Sequence, residues 1–591
     1  MSARVAADDL LAEARQMLLS GAPEDVESLL CLFAPEDPGY ADALHIRGLA
    51  LGVVERIDEA LPLLEEAHQL RPEDIEIASN LARALGRAGH CREALLLNDR
   101  LLCAGHRSTE RFCDCGILLL RIGQHAEALA FFNLAIEADP DAAIGWAGKA
   151  TLMQRYRALE DALLCHDRAI LLAPHNAVYR SGRASVLTDL ARYGEAMHEH
   201  GLALALEPLS APLWLNRGIT LTRCNRPEEA LLSIARAHEL APPDTQSLCS
   251  QGDALYELKR FDEARQCYEE ALRLDPECHD AAVKRGWLMT SFGNYREGWR
   301  EIERRLVNML PLLRRHQHLP RWTGDQSLAG KRIVVWSEQG HGDVIQYCRF
   351  ALDVLALGAE VVLEVKSPLV ELCASMPGCQ VIALNAPLPP CDFQISVASL
   401  PQAIAIAIDC DTVPHAAGYL HAPAEAVQRW LAKLPPARHA LRVGIACSGF
   451  VGHSRNSIRS IPLRHFLPMA KYADLFLLQP ALGPEDEKFQ QLHPEEIQRP
   501  HINAGSFADT AGLVQNMDLV ISVDTSIAHL SASLGKETWL LLDWVAEWRW
   551  MHDIAYSPWY QSMRLFRQKA RADWTSVVID VLRALSERQQ A

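Results

Sequence analysis

The stretch TERFCDCGILLLRIGQHAEALAFFNLAIEADPDA (109–142) decides the first half of the chain. Two apolar runs at helical spacing flank Gly123, a residue that ends one helix and lets the backbone turn into the next. Gly116 lies inside the first run and Ala128 inside the second, where two helices must approach closely. Phe132 and Ala135 continue the same face as Ala128, and Pro140 closes the unit because proline cannot extend a helix. The unit is a helical hairpin, and it recurs. Alanines stand at 60, 94, 128, 162, 196, 230 and 264, and prolines at 38, 72, 140, 174, 208, 242 and 276, all in steps of 34 or twice 34.

A 34-residue period with a small residue mid-unit and a proline near its end is the signature of tetratricopeptide (TPR) repeats. Eight frames run from 7 to 278, followed by a partial ninth. Gly48, Ala67, Trp146, Ala169, Trp214, Gly218, Ala237, Gly252, Tyr268 and Ala271 fall on the same positions. Repeat 75–108 has His106 where proline is expected, and 7–40 keeps only Pro38, as a degenerate cap would. Such hairpins bury their apolar faces against neighbours and predict a superhelix with a groove that takes a polypeptide. Dimerisation or a spacer role is the other reading. Asn80, Asn216 and Arg217 lie on the groove-lining helices.

The 591 residues exceed what one core supports, so several domains are expected. The net charge of −17 argues against nucleic acid as the main partner, since phosphate backbones need a basic surface. Cysteines number 16 and are scattered; Cys113 and Cys115 form a lone C-x-C, which reads as reduced thiols rather than a zinc site. The first residues lack the uninterrupted apolar core of a signal peptide, and no run of about 18 apolar residues occurs, so the expectation is a cytoplasmic protein without membrane insertion.

From Lys331 the texture changes. RIVVWS (332–337), EVVLEV (360–365) and CQVIAL (379–384) are short β-branched runs separated by helical stretches, and LRVGIACSG (441–449), DLFLLQP (474–480), MDLVISVD (517–524) and TWLLL (538–542) repeat the pattern. Strands alternating with helices predict parallel sheets in two Rossmann-like lobes. The expected division is a TPR superhelix over 1–312, a linker over 313–330, a first lobe over 331–425 and a second over 426–591 with a closing helix at 573–588 that is able to cross back to the first lobe. The fold class is therefore an α-solenoid followed by an α/β module. Trp299 sits on an apolar helix face before the linker. The linker charges Arg314, Arg315, His316, His318 and Arg321 read as a solvated connector, or as a face for an anion.

Ligands of such sheets bind at the carboxyl ends of strands. Gly340-His341-Gly342-Asp343 follows the first strand, and Asp343 reads as a helix cap or as a functional carboxylate. Asp524-Thr525-Ser526 opens a helix with His529 one turn in, on the face of Thr525 and Ser526; hydroxyls and helix N-terminal N–H groups form an anion site, or His529 is only a buried histidine. Ser448 ends another strand. The polar cluster Ser454–Pro462 offers Arg459, a permanent bidentate cation, as a phosphate partner, unless it is a solvated loop. Asp409-Cys410-Asp411 mimics the D-x-D of metal-dependent sugar transferases and reads as a loop. No P-loop, H-E-x-x-H or G-x-S-x-G is present, and neither a metal nor a cofactor is expected.

WSEQGHGDVIQYCRF (336–350), HSRNSIRSIPL (453–463), FADTAGLVQNMDLVISVDTSIAHLSASLG (507–535) and AEWRWMHDIAYSPWYQSMRLFRQ (546–568) resemble a glycosyltransferase module that follows TPR repeats in bacterial proteins. That module is similar to the lipopolysaccharide heptosyltransferases (glycosyltransferase family 9), of GT-B fold, and more distantly to TPR-bearing O-GlcNAc transferases; the layout is similar to flagellin glycosyltransferases. The resemblance implies metal-independent transfer of a nonulosonic acid of the pseudaminic-acid type from a CMP-linked nucleotide sugar to Ser/Thr of flagellin, recruited by the repeats. It implies Asp343 as the base and the Asp524–His529 loop, with Asp524, Thr525, Ser526 and His529, as the site of the donor phosphates; beside it, His341 competes as the base, and Gly340, Gly342, Ser448 and Arg459 are expected to complete the donor site. Ser526 replaces the family's usual glycine. A glycolipid acceptor with another nucleotide sugar, or a non-catalytic TPR scaffold, are the alternatives.

Overall fold

In the computed structural model, residues 2–31, 33–308, 314–338, 340–407, 413–449 and 455–590 are described. Asp409-Cys410-Asp411 and Ser454 lie outside them. Nine helical hairpins run from Ser2 to Ile302 among the described residues. Each of several first helices starts at a side chain that accepts from the exposed N–H groups of the first turn: Asp74, Ser108, Asn176 and Asp244, again in steps of 34 or twice 34. Between the two helices of a hairpin the backbone turns through positive φ at Glu55, Gly89, Gly123, Arg157, Ala191, Asn225, Lys259 and Gly293. Three of these are glycines, which take that conformation without strain; the rest are held there by the packed helices on either side.

Packing explains the small residues. Ala60, Ala94, Ala128, Ala162, Ala196, Ala230 and Ala264 are fully buried. The Phe132 ring wedges between Gly116 and Gly148, and a Cβ on Gly148 would lie 2.2 Å from Phe132 Cε1. Across repeats, Arg87 donates to Gly52 O (2.8 Å) and Arg121 to Gly86 O (2.6 Å), so each guanidinium satisfies a helix-end carbonyl of the preceding repeat. Asn80 is engaged with His45 Nε2 at 2.9 Å, and Arg217 donates to Ser233 Oγ, so these groove candidates serve internal contacts.

The second half holds two parallel sheets. β1 (Arg332–Trp336), β2 (Glu360–Val365), β3 (Cys379–Ala383) and β4 (Phe393–Ser396) lie in the order β3-β2-β1-β4. β5 (Arg442–Ala446), β6 (Asp474–Leu477), β7 (Ile497–Gln498), β8 (Leu519–Val523), β9 (Thr538–Leu542) and β10 (Met563–Arg567) lie in the order β10-β9-β8-β5-β6-β7. The strand order reverses at β1 in one sheet and between β5 and β8 in the other, which places the loops after these strands at the switch points where ligands bind.

The chain forms two compact units, 1–213 and 214–591, so the last repeats share a unit with the two sheets. A continuous core joins Tyr295 and Trp299 of the last hairpin to Trp322, Phe350 and Trp559. The stretch expected as a solvated linker is built into the first lobe: Trp322 is fully buried, Arg315 and His316 hold the buried Glu364 of β2 (2.8 and 3.0 Å), and Arg321 pairs with Glu303. These side chains engage internal carboxylates and do not face a ligand anion. The closing helix, Trp574–Gln590, packs Val577, Val581 and Leu585 onto Val443, Phe466 and Trp539 of the second lobe, and not onto the first.

Two glycines separate steric from entropic roles. Gly148→Ala is expected to lower stability by about 1–3 kcal/mol, because the rigid Phe132 ring has no room to yield. Gly201→Ala, in a helix with nothing within 4 Å of its new Cβ, is expected to raise it by about 0.5–1 kcal/mol. Thermal unfolding of both variants checks the contrast.

Candidate functional site

β1 delivers Gly340 and the helix His341–Tyr347 to the first switch point, and β8 delivers Asp524 and the helix Ser526–Ser533 to the second. The fold brings these two loops together. A Cβ on Gly342 would lie 3.0 Å from His529 Cδ2 and 3.4 Å from Ser526 Cα, so the absence of a side chain is what lets the two helices meet. Thr525 caps the second helix, its hydroxyl accepting from Ile527 N at 3.3 Å and lying 3.2 Å from Ser522 Oγ.

Asp343 has both roles read from the sequence within reach. Its Oδ2 accepts from Gly340 N at 3.1 Å, as a cap does, while Oδ1 accepts two 3.1 Å bonds from Arg549. Three of its roughly four lone-pair sites are used, so one remains for a proton. The His341 ring packs 5.1 Å from that of Phe507, tilted by 50°, and burial, reinforced by the Lys366 charge, lowers its pKa, which favours the neutral imidazole.

Arg549 is the residue that sequence reasoning missed. It comes from the loop after β9, donates to Gln346 Oε1 at 2.6 Å, and also pairs with Glu547 at 3.1 Å. Burial opposes its charge, but Glu547 and Asp343 outweigh burial and hold its pKa above the ordinary value. Its neighbour Trp550 donates Nε1–H to Asp524 Oδ2 at 2.8 Å and stacks on His529 at 5.3 Å. The available signal was Trp548-Arg549-Trp550, a cation between two tryptophans that all turn out buried.

Asp524 is buried, and burial together with the Glu547 charge raises its pKa to about 6, against the pull of Arg549 and Arg459. His529 is pushed well below its usual value by burial and by Arg549, Arg349 and Arg459, so its 3.9 Å approach to Asp524 is not an ion pair. Its Nδ1 lies 2.8 Å from Tyr560 Oη. Arg349, fully buried, braces this wall between Tyr419 (4.6 Å) and Tyr560 (4.5 Å) and donates to Gln346 O at 2.8 Å.

The remaining predicted residues sit at the end of β5. Ser448 accepts from Gln479 Nε2 at 2.9 Å, and Gln479 in turn accepts from the backbone N–H groups of Cys447 and Ser448. Arg459 lies against Gly449, and its charge acts on both Asp524 and His529. Its buried Nε has no hydrogen-bond partner, and its guanidinium forms no ion pair among the described residues. Arg455, by contrast, is not part of a solvated loop: it is locked to Glu257 of the repeats and to Asp543 at 2.7 Å. A guanidinium without an ion-pair partner, whose charge reaches the Asp524 at a capped helix start, suits an anion.

Tetratricopeptide-repeat families match residues 246–278 and 113–142. The chain carries tetratricopeptide repeats. Among curated proteins it is similar to protein FlbA of Caulobacter vibrioides, 24% identical over 351 residues, covering 54% of this chain and 57% of that protein; the chain thus spans little over half the length of this relative. Among solved structures it is similar to the APC/C hetero-tetramer Cut9–Hcn1 (15% identity, 51% of this chain, 60% of that one, TM-score 0.40). It is also similar to a tetratricopeptide repeat protein from Parabacteroides merdae (14% identity, 43% of this chain, 100% of that one, TM-score 0.36). The repeats mark a scaffold for protein–protein interaction. No helix among the described residues is long and apolar enough to cross a membrane.

The raised Asp524 pKa carries a sign. The native state binds this proton more tightly than the unfolded chain does, so stability falls as pH rises from the ordinary carboxylate range through about 6. Asp524→Asn keeps an acceptor for Trp550 and removes the charge. It is expected to be about 1–3 kcal/mol more stable than the parent at pH 7.5 and equal to it at pH 4, which thermal unfolding at the two pH values measures.

Proposed function

We propose that the chain is a metal-independent protein O-glycosyltransferase of GT-B type, acting in the cytoplasm. It moves a nonulosonic acid of the pseudaminic-acid type from a CMP-linked donor to Ser/Thr of flagellin, which the repeats recruit. The observation that carries this reading is Arg459: its guanidinium pairs with no carboxylate among the described residues, and its charge acts on Asp524 and His529, where the loops of two parallel sheets converge.

In this reading the donor phosphate sits on Arg459 and the helix N-terminus, with Thr525, Ser526 and Ser448 around it. The acceptor hydroxyl oxygen attacks the anomeric carbon, the bond from that carbon to the phosphate oxygen breaks, and CMP leaves with the electron pair. The hydroxyl proton passes to the remaining lone pair of Asp343; neutral His341 is the second acceptor within the same loop. Such proton transfer contributes about 10²–10⁴-fold. Arg549 fixes the Asp343 carboxylate in place, and the apolar wall of Trp550 and Tyr560 limits water at the reacting carbon.

The test is the intact mass of flagellin incubated with the CMP-linked sugar and the chain. The expected result is a mass increase by whole sugar residues that falls at least 10²-fold in rate with Asp343→Asn. Flagellin that binds the chain but never gains mass would mark a scaffold. Donor binding without flagellin modification would mark another acceptor, such as a glycolipid.

A further inference from the structure

The loop between β9 and β10 supplies Arg549 and Trp550, yet from Asp543 to Asp553 it has no strand and only a single short helical turn. Met551 and Asp553 both take positive φ. Such a segment does not hold its own shape, so something packed against it must.

What packs against it is the repeat array. Lys259 Nζ lies 3.7 Å over the Trp544 ring. The ring of His552 is enclosed by Phe261 (4.1 Å), Phe292 (5.0 Å) and Tyr256 (6.2 Å), and its Nε2 lies 3.1 Å from Ser291 Oγ. Tyr295 Oη donates to Met551 Sδ at 3.8 Å. Glu257 pairs with Arg455, whose other nitrogen donates to Asp543 Oδ2 and to Val545 O, both at 2.7 Å. One face of the loop therefore belongs to the last hairpins and the other to Asp343 and Asp524.

We propose that the last repeats are a working part of the nucleotide site, with Glu257 as a positioning residue that acts through Arg455 and Asp543 to set Arg549 and Trp550 in place. The repeat array is then more than a recruitment arm: strain or ordering in hairpins 245–302 reaches the site through this loop. This rests on the transferase reading only for the identity of the ligand, not for the mechanical link.

The experiment uses the full chain and two readouts. Hydrogen–deuterium exchange follows residues 543–553 in Glu257→Gln, which keeps the side-chain shape, and in Lys259→Met, which removes the cation over Trp544. Glu263→Gln, in the same hairpin and paired with Arg260 at the surface, is the control. Both test variants are expected to speed exchange in 543–553 by about tenfold, the low end for losing a buried charged contact, with the helices of 245–274 as protected as before; the control leaves 543–553 unchanged. Unchanged exchange in 543–553 in both test variants, or equal loosening of the repeat helices themselves, overturns the proposal. Titration with CMP is the second readout, and affinity is expected to fall several-fold in Glu257→Gln and not in Glu263→Gln. If CMP fails to bind even the unaltered chain, the transferase reading fails, while the exchange result still decides the link.

Discussion

The buried guanidinium of Arg549 is the contact on which the rest of the site depends. Removing a charge from water costs several kcal/mol unless it is matched, and here two carboxylates, Asp343 and Glu547, and the Gln346 amide match it. That matching joins the first lobe to the loop after β9 of the second. It also orients Asp343 and places a positive charge near Asp524. Trp550, the next residue, then closes the opposite side by holding Asp524 and covering His529. The carboxylate cluster and its cation thus form one unit, and removing either leaves the other buried and unbalanced.

Around that unit the chain divides its work by residue type. Small residues allow close approach: the fully buried alanines between repeat helices, and Gly342 between the two site helices. Aromatic residues fill the continuous core from Tyr295 to Trp559 that makes the last repeats and both sheets one compact unit. Charged residues act in matched groups, as with Arg455 between Glu257 and Asp543. Arg459 stands apart from this pattern, because among the described residues its guanidinium pairs with no carboxylate, and its Nε is buried without a hydrogen-bond partner.

The 34-residue step made the repeats legible, because Ala, Gly and Pro are forced by close packing and by turn geometry. The left-handed turn was not legible at Glu55, Arg157 or Lys259, since tertiary packing and not residue type imposes it there. Runs such as RIVVW and LVISV announced buried parallel strands, whereas β4, β7 and β10 escaped notice: FQIS is short and polar, Ile497–Gln498 is two residues, and MRLFR alternates charge with apolar side chains. Both site loops could be placed from the strand–loop–helix pattern. Arg549 could not be paired with Asp343, because 206 residues separate them and spacing carries no information at that range. For the same reason the charges of 314–321 looked solvated until Glu364 and Glu303 were found opposite them.

The proposed transferase requires Arg459 and the Asp524–Ser526 helix start to bind the phosphate of a nucleotide. Calorimetric titration of the full chain with CMP and with cytidine, repeated with Arg459→Met, tests it most directly. CMP is expected to bind at least tenfold tighter than cytidine and Arg459→Met to erase the difference, the loss of a charge-assisted contact of about 1.5–3 kcal/mol. Equal affinity for CMP and cytidine, or a preference for CMP that survives in Arg459→Met, would contradict it.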